Sequence, residues 1–530
     1  MSREGAAVDG LGTSRQPPAD LYEDDSAGIT LELPLGLQPP RLANPALGLT
    51  TLSFGGAHVE VTSVIDVSDA RLLRAGAELV LARGREGAQP VWRSRLPDWL
   101  GGQVVEVPAA DGFGTEPPAE LAAQLTPLVR TGSLGEVAAL SVKRAVWTMR
   151  GPGGDTVASL TDDTVTLRRG EVAVARYREV TIVPRGCSPE AITWLVDLLE
   201  ASGATLLAEP VPLAVRMGAP ATGMPDLPEP EPVDDADGVL ALFSSMVRRH
   251  ARDLVRADRD IRDGGAGAGV ALRSALAALV ADLRAFGSFL HEDVVAKLAA
   301  DLAWLDDQAA EALHLSMLSR RLRDVSTSDI LAGTVDSLDA LRRSTRRTLT
   351  QALGQPRYRR LLDTLVQFAR SPGLLLRLGD DAAAAASAAR AGDWLRERWR
   401  DDLRHLHRAL RETSESDGEQ VLESWDRVRD RAATCAVDID GVELVFGKTS
   451  RQVRKRLGPM ITRIEAIDEV AHAVSDLRGI ALRGSAPDPA VVFALGQASA
   501  LAATEGSALI SSVLEDWGEA RRRLTHVFDR

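Results

Sequence analysis

Residues 271–290, ALRSALAALVADLRAFGSFL, place Leu272, Leu276, Leu279, Val280, Leu283, Phe286 and Leu290 at i, i+4, i+7, i+8, i+11, i+14 and i+18. On a helix of 3.6 residues per turn these side chains form one apolar stripe, so the segment predicts an amphipathic helix with one face in a core. The helical period continues through long Arg-rich segments toward the C-terminus. Breaks near 325–330, 371–382, 413–420, 438–448 and 482–488 divide it into six or more helices, read as helix bundles.

Upstream the period is different. From about 28 to 218, short alternating runs such as ITLELPL, AHVEVTSVI, GAELVLARG, DTVTLRRG and VAVARYREVTIV lie between Gly, Pro and Asp turns, which predicts many strands. Two helical insertions interrupt them, PAELAAQLTPLVR and SPEAITWLVDLLEASG. The second has Ser188 as N-cap, Pro189 in its first turn and Gly203 just past its end. Between the two halves, residues 219–237 are dense in Pro and acid and read as a linker. Residues 1–27 are polar and aperiodic, with too little apolar surface to offset ordering entropy, and read as a disordered tail.

The chain has 530 residues, 45% hydrophobic and 26% charged, enough for several buried cores. Its two cysteines, Cys187 and Cys435, form no CxxC pair, which excludes a cysteine zinc site and a disulfide framework. The opening stretch MSREGAAVDGLGTSRQPPADLYEDD lacks an apolar core, and no run reaches the roughly 18 apolar residues of a membrane span. A cytoplasmic protein without membrane contact is therefore expected. The net charge of −13 is uneven: residues 1–230 carry 19 Lys+Arg against 29 Asp+Glu, and the remainder 43 against 46. Such a field does not steer nucleic acid or anionic membrane to the chain, and no nucleic-acid partner is expected.

The order of features resembles a two-domain family: a CYTH domain, with the fold of the triphosphate tunnel metalloenzymes, followed by a helical CHAD domain. In the first half, VIDVSDARLLRAGAELVLARGREGAQPVWRSRLP (64–97) is similar to the family's YFDTPDxRLLRAGxTLRRRxGG...WxLKLP. LSVKRAVWTMRGPGGDTVASLTDDTV and RYREVTIV follow in the family's order. In the second half, QPRYRRLLDTLVQF (355–368) resembles a CHAD helix. The resemblance implies an α+β protein: an antiparallel β-barrel over 28–218, then an all-α CHAD-like domain over 238–525, in two bundles of about 238–380 and 381–525.

In the tunnel enzymes alternate strand residues point inward, where carboxylates seat a divalent metal and Arg/Lys grip a polyphosphate chain. Most of those seats are altered in this chain. Thr30, Glu32 and Pro34 stand where ExExK is expected, Val80 and Ala82 fall in the TLRRR element, and Glu179 alone survives of the late acidic strand. Neither basic residue of the closing SKLARAL element has a counterpart in the alignment to Val211–Met217. Residual metal candidates are Glu32, Asp163 and Glu179, and residual phosphate candidates in this half are Arg95, Lys143 and Arg144. About five charge-assisted contacts are missing at roughly 1.5–3 kcal/mol each, which predicts negligible triphosphate turnover and no catalytic residue. Mg²⁺ or Mn²⁺ is expected only if the tunnel is active, and no other cofactor.

The helical half shows the same erosion. CHAD domains resemble basic cradles for inorganic polyphosphate, but here Val270 stands at a family histidine and Ala277, Ala278 and Val280 replace arginines, while Arg273 is kept. In the second such helix Glu423 and Asp426 replace a histidine and an arginine. None of the eight histidines falls at a name-giving position, and His405 and His407, about 200 degrees apart on a helix, cannot chelate one metal. The run 341–360 is rich in arginine and has no acid; Arg342, Arg346, Arg357, Arg359 and Arg360 are the phosphate candidates there, against a solvated face paired with neighbouring acids. The expectation is a non-catalytic CYTH–CHAD-type protein, with inorganic polyphosphate as ligand and association with polyphosphate granules implied by the resemblance. The competing readings are a metal-dependent triphosphatase, or less readily a nucleotide cyclase, and a scaffold that binds a protein partner and no anion.

Overall fold

A computed structural model describes residues 28–38, 40–84, 89–109, 116–265, 267–325, 329–371, 384, 388–414, 420–482 and 488–528. The expected tail, 1–27, lies outside the described residues. Two compact units divide the chain: the described residues of 1–122 with 132–224, and those of 123–131 with 225–530.

The first unit is built on a nine-stranded antiparallel sheet. Its strands are β1 (Ile29–Leu33), β2 (Thr51–Asp66), β3 (Glu78–Arg83), β4 (Val91–Arg95), β5 (Val104–Pro108), β6 (Gly135–Arg150), β7 (Thr156–Arg169), β8 (Val172–Pro184) and β9 (Thr205–Leu206). Their order is β5-β4-β3-β2-β6-β7-β8-β1-β9. The sheet is open, which corrects the expectation of a closed barrel. Its two edges, β5 of five residues and β9 of two, are too short to pair along the long central strands, and no described pairing joins them. The β7–β8 hairpin turns through Gly170 at φ 53°, where a two-residue turn needs the left-handed region.

Alternation in β1, β7 and β8 sends Leu31, Leu33, Leu160, Val180 and Ile182 to one face of the sheet. That face is covered by the helix Pro189–Ala201, through Ala191, Leu195 and Leu199. The helix begins as its sequence predicts: Ser188 Oγ accepts from Ala191 N–H at 3.2 Å, with Pro189 in the first turn. Beside that core the intervening positions are polar and line the other face, which further along the strands is itself apolar, with Val64, Ala138 and Leu167 buried there beside Met217.

The second unit is helical. Its helices are α1 (Val239–Asp263), α2 (Ala268–Phe286), α3 (Glu292–Val325), α4 (Ala332–Ala352), α5 (Pro356–Arg370), α6 (Ala391–Ser414), α7 (Gln420–Phe446), α8 (Lys448–Leu482) and α9 (Pro489–Thr525). Most of the stripe of residues 271–290 is buried, with Leu272, Leu276, Leu279, Leu283, Phe286 and Leu290 all at 5% exposure or less; Val280 is half-buried, and the helix ends at Phe286, short of Leu290. Phe286 sits at the centre of an aromatic cluster, 4.8 Å from Phe243 and stacked at 4.7 Å on Trp394. These helices lie in one compact unit, in which α7 packs against α1 and α2, and α8 against α3. Among the described residues no helix is long and apolar enough to cross a membrane.

The segment 219–237, expected as a linker, is divided between the units after Met224. Its part beyond 225 is held against the helices. Arg252 donates to Leu227 O at 3.0 Å, Ser245 Oγ to Glu231 O at 2.7 Å and Val233 N–H to Leu444 O at 3.0 Å. Asp226 pairs with Arg130 and Arg370, and Asp235 with Arg396. Two of its acids, Asp226 and Asp235, are ion-pair partners of the helix arginines Arg370 and Arg396.

Candidate functional site

The polar face of the sheet carries a straight row of charged groups. In the register of the paired strands Glu32 of β1 stands opposite Glu179 of β8, Glu179 opposite Asp163 of β7, Asp163 opposite Arg144 of β6, and Arg144 opposite His58 of β2. Directly opposed residues face the same side, so these five side chains share one surface. The three residual metal candidates, Glu32, Asp163 and Glu179, are therefore brought together on adjacent strands.

Each of the three is already engaged by an arginine. Arg216, on the short helix Leu213–Met217, donates from Nη2 to Glu32 Oε2 and to Glu179 Oε1, both at 2.7 Å, and from Nη1 to Glu32 Oε1 at 3.3 Å. Its guanidinium lies over the Tyr177 ring, 4.0 Å from the centroid. Arg144 grips Asp163 with both ends of its fork, at 2.9 and 2.7 Å, and reaches Glu60 at 3.4 Å. Glu60 in turn contacts His58 Nε2 at 2.8 Å.

The electrostatics follow from that pairing. Burial pushes the Glu179 carboxyl above the ordinary range, opposed by the hydrogen bond from Arg216. Burial also raises the Tyr177 phenol, to about 12, with Glu179 adding to the effect. Arg216 loses by burial but gains more from Glu32 and Glu179, so its charge is held more firmly than in water. A hard divalent cation wants several free oxygens in near-octahedral array. Glu32, Glu179 and Asp163 do not fit that demand, and among the described residues no cluster of metal-ligating side chains is found. Four carboxylates (Glu32, Glu60, Asp163 and Glu179) against two guanidinium groups also make the face unsuited to a polyanion.

The other candidates of this half do not join the row. Lys143 is exposed and, one residue from Arg144 on the same strand, points to the opposite face. Arg95 lies on β4, with three strands between it and Asp163, and meets Asp98 at 3.5 Å.

In the helical unit a cavity of about 660 Å³ opens between α2, α3, α7 and α8. Seven carboxylates line it, among them Asp306, Glu465, Asp468 and Glu469, against three guanidinium groups, Arg273, Arg284 and Arg429. Arg273 is paired with Asp306 at 2.9 Å and Arg429 with Asp468 at 2.8 Å. Burial pushes the Glu465 and Glu469 carboxyls upward, and Glu469 adds to the shift of Glu465.

The arginines of 341–360 spread over α4 and α5. Arg342 meets Asp339 at 3.4 Å, Arg346 donates to Ile261 O at 3.3 Å, and Arg357 pairs with Asp301 at 2.7 Å while lying over Trp304. Arg359 is half-buried, and its Nε has no hydrogen-bond partner. Arg343, Arg347 and Arg360 are exposed and, among the described residues, form no ion pair.

Three side chains escape the sequence reading. Arg216 lies in the segment aligned to SKLARAL, but one position from where a basic residue is sought. Tyr177 follows the hydrophobic pattern of its strand. His250 is 2% exposed, with Nδ1 2.6 Å from Asp282 and Nε2 3.4 Å from Asp440. It sits on the apolar stripe of Phe243, Met246 and Leu254, a placement visible in the sequence that marks it as buried.

A helical bundle with these helix sequences is a defined domain class. The family model of the CHAD domain matches residues 245–475, and the chain contains a CHAD domain there; α9 lies beyond the match. Among solved structures the chain is similar to PptA from Streptomyces chartreusis, with 21% identity over 53% of this chain and 100% of that one, at a TM-score of 0.43. It is similar to the CHAD domain from the plant Ricinus communis, with 18% identity over 54% and 95% of the two chains and a TM-score of 0.43. A third likeness, to PH1819 protein from Pyrococcus horikoshii OT3, has 13% identity over 36% and 97%, with a TM-score of 0.21. No curated protein matches the chain. The antiparallel sheet of the first unit is consistent with the expected CYTH-type half.

Proposed function

We propose that this CHAD-containing chain is a non-catalytic protein of the CYTH–CHAD type that associates with inorganic polyphosphate through the exposed arginines of 341–360. The observation that carries the binding half of this reading is the pair Arg343 and Arg347, one turn apart on α4. Both are exposed and without an acidic partner among the described residues. Arg346 is exposed beside them, Arg360 is exposed on α5, and no acid occurs between 341 and 360. Regularly spaced guanidinium groups suit a flexible polyanion, each offering a forked donor set to phosphate. The acidic cavity disfavours the same ligand, so binding is assigned to the helix face and not to the space between the helices.

Non-catalysis is supported by the paired carboxylates of the sheet: with Arg216 on Glu32 and Glu179 and Arg144 on Asp163, none of the three is free to seat a metal. Titration of the full chain with long-chain polyphosphate at rising salt tests the binding. Affinity is expected to fall roughly 10- to 100-fold between about 50 and 200 mM salt, as competing counterions displace a few phosphate contacts. Replacing Arg343 and Arg347 together by Glu is expected to weaken binding at least about tenfold. Binding that ignores both salt and the double substitution contradicts the assignment, and absence of binding favours the scaffold reading.

A further inference from the structure

We infer that Arg216 is a built-in cation that holds Glu32 and Glu179 together, and that removing it uncovers a latent divalent-metal site. This inference rests on the reading of the sheet face as non-catalytic and adds what keeps it so. The strand register creates the need for such a cation. Glu179 has Glu32 opposite it on one side and Asp163 on the other. Like charges directly opposed across antiparallel strands repel at Cα separations of about 4.5–5.5 Å. Arg144 neutralises Asp163, which leaves Glu32 and Glu179 for Arg216 alone.

The geometry of Arg216 is that of a bridging ion. One nitrogen, Nη2, is shared between the two carboxylates at 2.7 Å each. The side chain is 14% exposed, and the Tyr177 ring backs the guanidinium. Nothing else described on this face brings positive charge to Glu32 or Glu179. Without Arg216 two adjacent carboxylates would share a partly buried place with no counter-charge. Oxygen donors so arranged attract a hard cation such as Mn²⁺ or Mg²⁺, with water completing the shell.

The test compares the full chain with Arg216→Met, which keeps a long apolar stem over Tyr177 and removes the charge. Thermal unfolding with and without millimolar Mn²⁺ is read beside the free Mn²⁺ signal in electron paramagnetic resonance. The wild-type midpoint is expected to ignore the ion and the wild type to leave Mn²⁺ free. Arg216→Met is expected to melt lower, to recover at least half of the lost midpoint with Mn²⁺, and to bind Mn²⁺ at least tenfold more tightly than wild type. If Arg216→Met does not fold, Arg216→Met with Glu179→Gln, which removes one negative charge along with the positive one, is expected to restore a folded chain without metal. The inference is overturned by stoichiometric Mn²⁺ binding to wild type, by an Arg216→Met variant indifferent to Mn²⁺, or by failure of the double variant to fold. None of these outcomes measures phosphate release, so the non-catalytic reading is judged separately.

Discussion

Substitution of His250 by Leu is expected to destabilise the helical unit by about 3–5 kcal/mol, the cost of leaving one member of a buried ion pair without its partner. His250 on α1 is 2% exposed and Asp282 on α2 is fully buried; Asp440 on α7 closes the triad and is also held by Arg249 and Arg454. Burial works against the imidazolium, but Asp282 and then Asp440 outweigh it and push its pKa up to about 10. A pKa raised in the folded state gives stability fully present below about pH 6.5 and lost as pH rises through about 10. The Leu variant is thus expected to unfold in urea at a clearly lower midpoint and to lose that alkaline slope. Joint replacement of His250 and Asp282 by Leu is expected to recover part of the loss, since an apolar pair replaces a lone charge. A His250→Leu midpoint equal to wild type at pH 7 would show that the triad is not charged.

The second large effect concerns Asp438 on α7. Its Oδ1 accepts from Arg398 Nε at 2.8 Å and its Oδ2 is buried without a hydrogen-bond partner, while Asp402 Oδ2 on α6 meets Arg398 Nη2 at 3.3 Å. A proton kept on Asp438 gives its carboxyl a hydrogen to donate toward Asp402. Burial is the largest cause pushing the Asp438 pKa up, to about 8; Arg398 opposes it and the neighbouring Asp402 adds to it. The folded chain keeps a proton that the unfolded chain releases near pH 4, so stability is full below about pH 4 and declines as pH rises through about 8. Asp438→Asn keeps an acceptor for Arg398 and supplies an N–H to Asp402 at every pH. Between pH 5 and 8 the wild-type melting point is expected to fall, with His250 adding a decline of the same sign above about pH 6.5 in both proteins, while that of Asp438→Asn stays flatter and lies above wild type at pH 8. Identical slopes for the two proteins would rule out the shared proton.

How much of this was legible beforehand depended on the range of the interaction. The helix of residues 271–290 and the capped helix after Ser188 are local: a 3.6-residue period or a Ser-Pro start is written in consecutive residues. The open edges of the sheet were not legible, because strand pairing across 150 residues and the shortness of β9 are not local properties. The attachments of segment 219–237 were not legible for a related reason: Pro and acid are local marks, whereas the arginines that meet Asp226 and Asp235 lie far along the chain.

In the site, Glu32, Asp163 and Glu179 were identifiable through the resemblance to the tunnel family's motifs, and the strand register then sets them on one face. What occupies them was not. Arg216 comes from a five-residue helix 37 positions beyond Glu179, and only the fold carries it over the row. His250 was readable in principle, as a polar residue on an apolar stripe, but its partners Asp282 and Asp440 lie 32 and 190 residues away. The sign of the cavity was partly visible in Ala277 and Val280, which line it at positions where the resemblance leads one to expect cations.

Central to the proposed function is that the sheet face performs no phosphoryl chemistry, because its carboxylates are spent on arginines. The most direct test is release of inorganic phosphate from triphosphate by the full chain with Mg²⁺ or Mn²⁺. The predicted result is no release above the metal-only background, unchanged by Glu32→Gln or Glu179→Gln. Turnover that is abolished by either substitution would contradict it.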